Sequence, residues 1–335
     1  MTAWLRVLVP GPLTTIQDGG RRGWLRFGVP GSGALDPCAL AAANLLVGNA
    51  GDAGALELTL AGGTFAAEGA LRIALCGADM DMTIDGAPAV RDRSHTLAPG
   101  AVVSIGTARS GARAYLAAGG GFAVPPAFGS VATHLRSGIG GFGGRALRTG
   151  DVLPVTGPVP SGPELRLAEA PPPLPPRVRV VLGPQDDYFT PTALALLSES
   201  AFTITAQSDR MGYRLAGPAL EHAKGFNIVS DGIAPGSIQV PGSGQPIILL
   251  ADRQTTGGYP KIATAISADL PALGRMRPGD TVRFEPVTIE AAAAARRALL
   301  DWFEALPRHI VRVGPDTERL LSANLISGVT DGSAT

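Results

Sequence analysis

The segment Ala251-Asp-Arg-Gln-Thr-Thr-Gly-Gly-Tyr-Pro-Lys261 holds the residue types best suited to chemistry. An aliphatic run, Ile247 to Ala251, ends abruptly in Asp252, Arg253, Gln254, Thr255 and Thr256, followed by Gly257, Gly258, Tyr259 and Lys261. Buried strands that end in polar clusters are a common way for a rigid scaffold to present reactive groups. Asp252 and Lys261 could act as acid/base or charge-pairing groups, and Arg253 as a fork for carboxylate or phosphate. The two glycines let backbone N–H groups approach an anion or carbonyl oxygen closely. A hairpin turn with solvated charges is the plain alternative.

Three further segments offer similar groups. Gln207-Ser-Asp-Arg-Met-Gly-Tyr213 places Gln207, Asp209, Arg210 and Tyr213 at one strand end, or else only solvates a turn. Ser230-Asp231-Gly232 offers Asp231 as a second carboxylate, although Asp-Gly is also an ordinary turn signal. Gln239 lies on a strand whose alternation points it away from Ile238 and Val240, toward either a site or solvent. Nearer the N-terminus, Thr14-Thr-Ile-Gln-Asp-Gly-Gly-Arg-Arg-Gly23 offers Gln17, Asp18 and Arg22, or a surface loop. Gly138 to Gly144 forms either a lid or a close-packed turn. Of 28 basic residues only Lys224 and Lys261 are lysines. In so arginine-rich a chain, a lysine raises the question of ammonium chemistry that guanidinium cannot perform.

These segments need elements to hold them. With 335 residues the chain is long enough for two domains. A proline-rich stretch, Thr156 to Arg177, divides it into a first domain (1–155), a linker (156–177) and a second domain (178–326). The halves read as distant copies. Leu97-Ala-Pro-Gly-Ala-Val-Val-Ser-Ile105 answers Ile233-Ala-Pro-Gly-Ser-Ile-Gln-Val-Pro241, and Leu147-Arg-Thr-Gly-Asp151 answers Met276-Arg-Pro-Gly-Asp280. Leu5-Arg-Val-Leu-Val9 and Val178-Arg-Val-Val-Leu182 also match, as do the strands Ala114–Ala118 and Ile247–Ala251. Short β-branched runs between Gly, Pro and Asp-Gly turns make most of the pattern strand-like. Helices are expected only from Pro37 to about Val47, from Pro191 to about Ser198 and from Ile289 to about Ala305. The expected fold is β-rich α+β, two β-barrel-like or sandwich-like domains related by internal duplication.

Composition removes several functions. The formal net charge of zero gives no electrostatic footprint for nucleic acid or an anionic membrane. The longest aliphatic run is far too short to span a bilayer. Cys38 and Cys76 read as buried free thiols, in keeping with a cytoplasmic location. No Gly-x4-Gly-Lys-Ser/Thr phosphate loop is present, neither lysine has the Ala-Met-Lys-Met context of covalent biotin, and the four histidines show no zinc-ligand spacing.

The chain resembles the KipA family, the C subunits of 5-oxoprolinase, related to the carboxyltransferase part of urea amidolyase and also labelled allophanate hydrolase subunit 2. The resemblance covers nearly the whole chain. It rests on Gly11-Pro-Leu-Thr-Thr-Ile-Gln-Asp-Gly-Gly20, Gly183-Pro-Gln-Asp-Asp187, Gln207–Tyr213 and above all Leu250–Lys261. It implies two cyclophilin-like β-barrel domains and two partner proteins, one KipI-like and one LamB/YcsF-like. The implied reaction is ATP-dependent opening of 5-oxo-L-proline to L-glutamate, with ATP and Mg2+ shared among the partners and the chain inactive alone. Two departures stand out: Gly129-Ser-Val-Ala-Thr133 replaces Gly-Ser-Arg-Ser-Thr, and Gly141-Phe-Gly-Gly-Arg145 replaces Gly-Phe-Glu-Gly-Arg.

Three functional expectations follow. The first is one component of an enzyme for a small cyclic amide or ureido compound, with Arg253 and Lys261 as cations and Asp252 and Asp231 as carboxylates. The second is a biotin-dependent carboxyltransferase served by a separate carrier. The third is a regulatory binding protein of the KipI–KipA type.

Overall fold

The computed structural model describes residues 3–157, 161–173 and 175–314. Each half is organised around one curled sheet. In the first, the long strand Val102–Ala118 is the spine, pairing antiparallel with Ala55–Thr59, Ala61–Glu68 and Leu71–Ile84. The opening strand Ala3–Val9 pairs with Ala61–Glu68 and with the closing strand Val152–Val155. Alternation in Ala3–Val9 sends Leu5 and Val7 into the core, where they meet Phe65, Leu116 and Leu153. Helix α1 (Pro37–Leu46) covers the outer face. It starts because Asp36 accepts hydrogen bonds from the backbone of Cys38 and Ala39, with proline in the first turn.

The second sheet runs Thr281–Val282, Phe202–Ile204, Gly212–Ala216, Ile247–Leu249, Ser237–Gln239, Lys261–Ala265, Val178–Leu182 and Phe284–Pro286 in spatial order. Helix α2 (Pro191–Glu199) is capped by the Thr190 hydroxyl, and α4 (Ile289–Ala305) by that of Thr288. Both fall where their caps and apolar spacing place them. A short helix, α3 (Leu270–Gly274), has too few residues to show a period and was not expected. The architecture is therefore strand-rich, with two curled sheets and few helices, as expected.

The internal correspondence shows most clearly at turns. Gly100 (φ 88°) and Gly236 (φ 83°) both adopt the left-handed conformation at the Ala-Pro-Gly turn. In the Arg-x-Gly-Asp turns, Asp151 Oδ2 accepts from Arg148 N at 2.8 Å and Asp280 Oδ2 from Arg277 N at 2.9 Å. The closures differ, because Val152–Val155 runs antiparallel to its opening strand and Phe284–Pro286 parallel.

The linker is more structured than its prolines suggest. Leu165–Leu167 pairs antiparallel with Ile310–Arg312, so the segment joins the first half to the strand after α4. Residues 315–326 of the second expected domain lie outside the described residues.

Candidate functional site

Lys261 opens the strand Lys261–Ala265 and has only 2% of its side chain exposed. Its Nζ lies 2.6 Å from Asp231 Oδ2 and donates to Gly232 O at 3.3 Å. Asp231 is half exposed, so the pair joins a buried ammonium to a carboxylate that solvent can reach. The hydrogen bond from Lys261, followed by that from Gly232 N, holds the Asp231 carboxyl below the usual carboxylate range. Asp231–Gly232 is kept over Lys261 by antiparallel pairing with Thr256–Gly257. Gln185 supports both partners: its Oε1 accepts from Lys261 N at 3.1 Å, and its Nε2 lies 3.4 Å from Asp231 Oδ2.

Gln239 stands opposite Lys261 in the neighbouring strand, across a register shift between Ile238 and Gln239. Directly opposed residues of an antiparallel pair share a face. The face of Gln239 is therefore that of the buried lysine, not a solvent face. Gln239 Oε1 accepts from Gln254 Nε2 at 3.3 Å, while its own Nε2 is buried without a partner. A Cβ at position 257 would sit 2.5 Å from that Nε2 and 2.7 Å from Ile233 Cδ1, so a side chain there would displace the Gln239 amide.

Arg253 is 4% exposed and makes no ion pair among the described residues. Its Nε donates to Ile233 O at 3.0 Å and its Nη1 to Leu250 O at 3.3 Å. Burial alone lowers its pKa to about 10, which leaves it charged at neutral pH.

Asp252, Arg210 and Tyr213 belong to a different network. Asp252, expected as an acid/base group, is buried and takes Arg210 Nε at 2.9 Å and Nη2 at 3.1 Å. The same guanidinium pairs with Glu57 of the first half and donates to Gly33 O at 2.6 Å. Glu57 also accepts from Tyr115 Oη at 2.6 Å. Tyr213 is buried; its hydroxyl takes Arg113 Nη1 at 2.5 Å and donates to Met276 O at 2.9 Å. These residues brace the two halves together, with no free carboxylate left for proton transfer. Gln207 and Asp209 lie on the exposed turn leading in, where Asp209 Oδ1 accepts from Met211 N and Gly212 N.

The first-half residues are also bracing groups. Gln17 is buried and donates to Thr15 Oγ1 and Thr133 O. Asp18 accepts from Gly20 N, Ser130 Oγ and Val131 N. Arg22 is exposed; its neighbour Arg21 is the buried one, held by Ala127 O and Ala132 O. No hydrogen bond or ion pair among the described residues ties Gln17, Asp18 or Arg22 to the Lys261–Asp231 pair. The 138–144 glycines form a close-packed turn: a Cβ on Gly140 would meet Ala132 O at 2.1 Å, and one on Gly144 would meet Gly138 O at 2.0 Å. Of the remaining segment, Thr255 O accepts from Ile233 N, Thr256 is exposed in its short ladder, Gly258 O accepts from Ile228 N, and Tyr259 is 40% exposed.

Sequence reasoning missed Gln185, Glu57 and Tyr115. Gln185 lies in the Gly183-Pro-Gln-Asp-Asp187 stretch, which served only as a motif of the family resemblance. Glu57 left one signal, a lone charge inside the buried run Ala55-Leu-Glu-Leu58.

A family model described as carboxyltransferase domain, subdomain A and B, matches residues 27–286. The chain belongs to this family. Among carboxyltransferase-domain relatives, it is 40% identical to the C subunit of 5-oxoprolinase from Haemophilus influenzae, over 84% of this chain and 91% of that one. It is 38% identical to the Escherichia coli C subunit, over 90% and 97%. The urea amidolyase of Saccharomyces cerevisiae is 31% identical over 88% of this chain but only 17% of its own length. The crystal structure of the K. lactis urea amidolyase superposes with a TM-score of 0.83 at 29% identity, covering 90% of this chain and 20% of that one.

Arg210 is committed to two carboxylates, Lys261 is paired with Asp231, and Arg253 has no ion-pair partner among the described residues. Among the described residues no group of three His, Cys, Asp or Glu is placed to hold a metal ion. No helix among them is long and apolar enough to cross a membrane.

Proposed function

We propose that this chain is the C subunit of an ATP-dependent 5-oxoprolinase, which opens 5-oxo-L-proline to L-glutamate together with a KipI-like protein and a LamB/YcsF-like protein. The carrying observation is the match to the Escherichia coli C subunit over 97% of that protein, against 17% of a urea amidolyase. ATP and Mg2+ are expected to be shared with the partners, because this chain has no Gly-x4-Gly-Lys-Ser/Thr phosphate loop. Lys261 polarises the lactam carbonyl and supplies positive charge as the ring nitrogen departs. Asp231, reachable from solvent, takes a proton from the water that attacks the carbonyl carbon and returns it to the departing ring nitrogen. Gln185 fixes both.

Carboxyl transfer is the second reading, favoured by the family model and by the TM-score of 0.83 to a urea amidolyase. Assembling the three proteins and supplying either 5-oxo-L-proline with ATP, or urea with a carboxylated biotin carrier, separates the two. Glutamate formation that requires this chain is the expected result. Loss of carboxylate from the carrier in the presence of urea, without glutamate formation, favours the second reading.

A further inference from the structure

Every residue from Arg22 to Gly28 is exposed, yet the segment is not a slack loop. Phe27 N donates to Trp24 O at 2.9 Å and Gly28 N to Leu25 O at 3.0 Å, while Arg21 N closes the base on Gly31 O at 2.7 Å. The turn Leu25–Phe27 buries none of its own residues, and Phe27 is 61% exposed. A second turn meets it. Ala127 and Ser130 exchange backbone hydrogen bonds at 2.8 and 3.3 Å, which makes Phe128–Gly129 the tip of a two-residue hairpin. Both tip residues have positive φ (55° and 78°), a conformation that suits Asn-Gly and is costly for a bulky side chain. Phe128 is nevertheless 45% exposed, with its ring 5.2 Å from that of Trp24, which lies 5.7 Å from Phe27. The buried Arg21 ties the two turns together, its Nε donating to Ala127 O at 3.1 Å.

The surroundings of these rings are basic. Arg26 lies over the Phe27 ring at 4.7 Å, and neither Arg22 nor Arg26 makes an ion pair among the described residues. No Asp or Glu occurs from Gly19 to Leu35, or from Arg93 to Gly150, so neither turn carries a carboxylate. The return limb of the first turn touches the polar segment of the second half. Ser32 N donates to Ala251 O at 3.2 Å, and Gly33 O accepts from Arg210 Nη2 at 2.6 Å.

We infer that Trp24, Phe27 and Phe128 form the docking surface for a protein partner whose face offers an apolar pocket rimmed by carboxylates. The partner's place in a 5-oxoprolinase assembly rests on the proposed function; the surface itself does not. Backbone bonds hold the rings in place before the partner arrives, so their burial costs little ordering entropy. Arg22 and Arg26 select the carboxylates. A second copy of this chain in a two-fold contact would instead set these arginines against their like. Two arginines also fall short of the about four to eight basic residues in lipid-binding clusters. A partner seated here lies beside the segment that begins at Ala251, where it can add groups that this chain lacks.

Sedimentation of this chain with the KipI-like protein, with the LamB/YcsF-like protein and with both tests the surface, without nucleotide or 5-oxo-L-proline. Trp24→Ser and Phe27→Ser should each weaken a complex of the wild type by at least about 30-fold, the loss typical of an aromatic anchor. Arg22→Glu with Arg26→Glu should weaken it about tenfold and remove the weakening that added salt causes in the wild type. Phe128→Asn separates docking from folding: Asn suits the positive φ, so thermal stability should hold or rise while partner binding falls. Undiminished binding in the folded variants, or a wild type that binds neither protein, would overturn the inference. So would rings that serve instead to capture phosphatidylserine vesicles or to pair two copies of this chain. A complex that assembles through these rings yet releases no glutamate refutes the reaction and leaves the docking surface standing.

Discussion

At the scale of single residues, the account depends on a buried ammonium and a reachable carboxylate. Lys261→Met removes the cation and leaves the Asp231 side chain with Gln185 and Gly232 N. Activity of the assembled complex should fall by at least about 100-fold in kcat, as when a charge that stabilises the transition state is deleted. The Asp231 carboxyl is held below its ordinary range by its bond to Lys261. With its pKa depressed, the Asp231 carboxyl stays ionised throughout the neutral and mildly acidic range. Kcat/KM should therefore show no acid limb from this group between about pH 5 and 8. A limb near pH 6 that vanishes in Asp231→Asn would contradict the assignment. Gly257→Ala is a sharper probe, since its Cβ would press on Gln239 Nε2 at 2.5 Å. The expected outcome is a loss of kcat/KM with little change in thermal stability, because Gly257 lies outside the main sheets.

At the scale of elements, the halves are joined by charge. Arg210→Met leaves Glu57 and Asp252 buried without their cation and should cost about 3–5 kcal/mol in chemical denaturation, the usual penalty for breaking a buried ion pair. Burial by itself would raise the Glu57 pKa, but the charges of Arg210 and Arg113 and the Tyr115 hydroxyl outweigh it and hold it below normal. The unfolded chain therefore takes up this proton first as the pH falls. The contribution of Glu57 is complete above the unfolded carboxylate range, about pH 4.3, and is lost as the pH drops through the folded value. Urea midpoints of the wild type and Glu57→Gln should accordingly converge on acidification from pH 7. A constant gap would show that Glu57 stabilises by packing alone.

At the scale of the whole molecule, the strand-rich architecture and the repeated turns were readable because they depend on local signals: Gly at left-handed positions, Pro and Thr at helix starts, alternation in short strands. The roles within the Gln207–Lys261 region were less readable. Asp252 and Asp231 look alike as letters, yet one faces a buried arginine 42 positions away and the other a lysine 30 positions away in a different sheet. Burial and partner are set by register, which no local pattern carries. Gln185 escaped for the same reason, being brought to Lys261 only by the pairing of its backbone with that residue. Because the sequence carries no phosphate loop of its own, the chain is read as one part of a larger catalyst.

The central claim is that this part supplies the lysine. It is tested most directly by measuring glutamate released from 5-oxo-L-proline and ATP by the three-protein complex, built with wild-type chain or with Lys261→Met. The account predicts steady release with the wild type and at least about 100-fold less with the variant at equal assembly. Equal release from both, or none from a fully assembled wild-type complex, would contradict it.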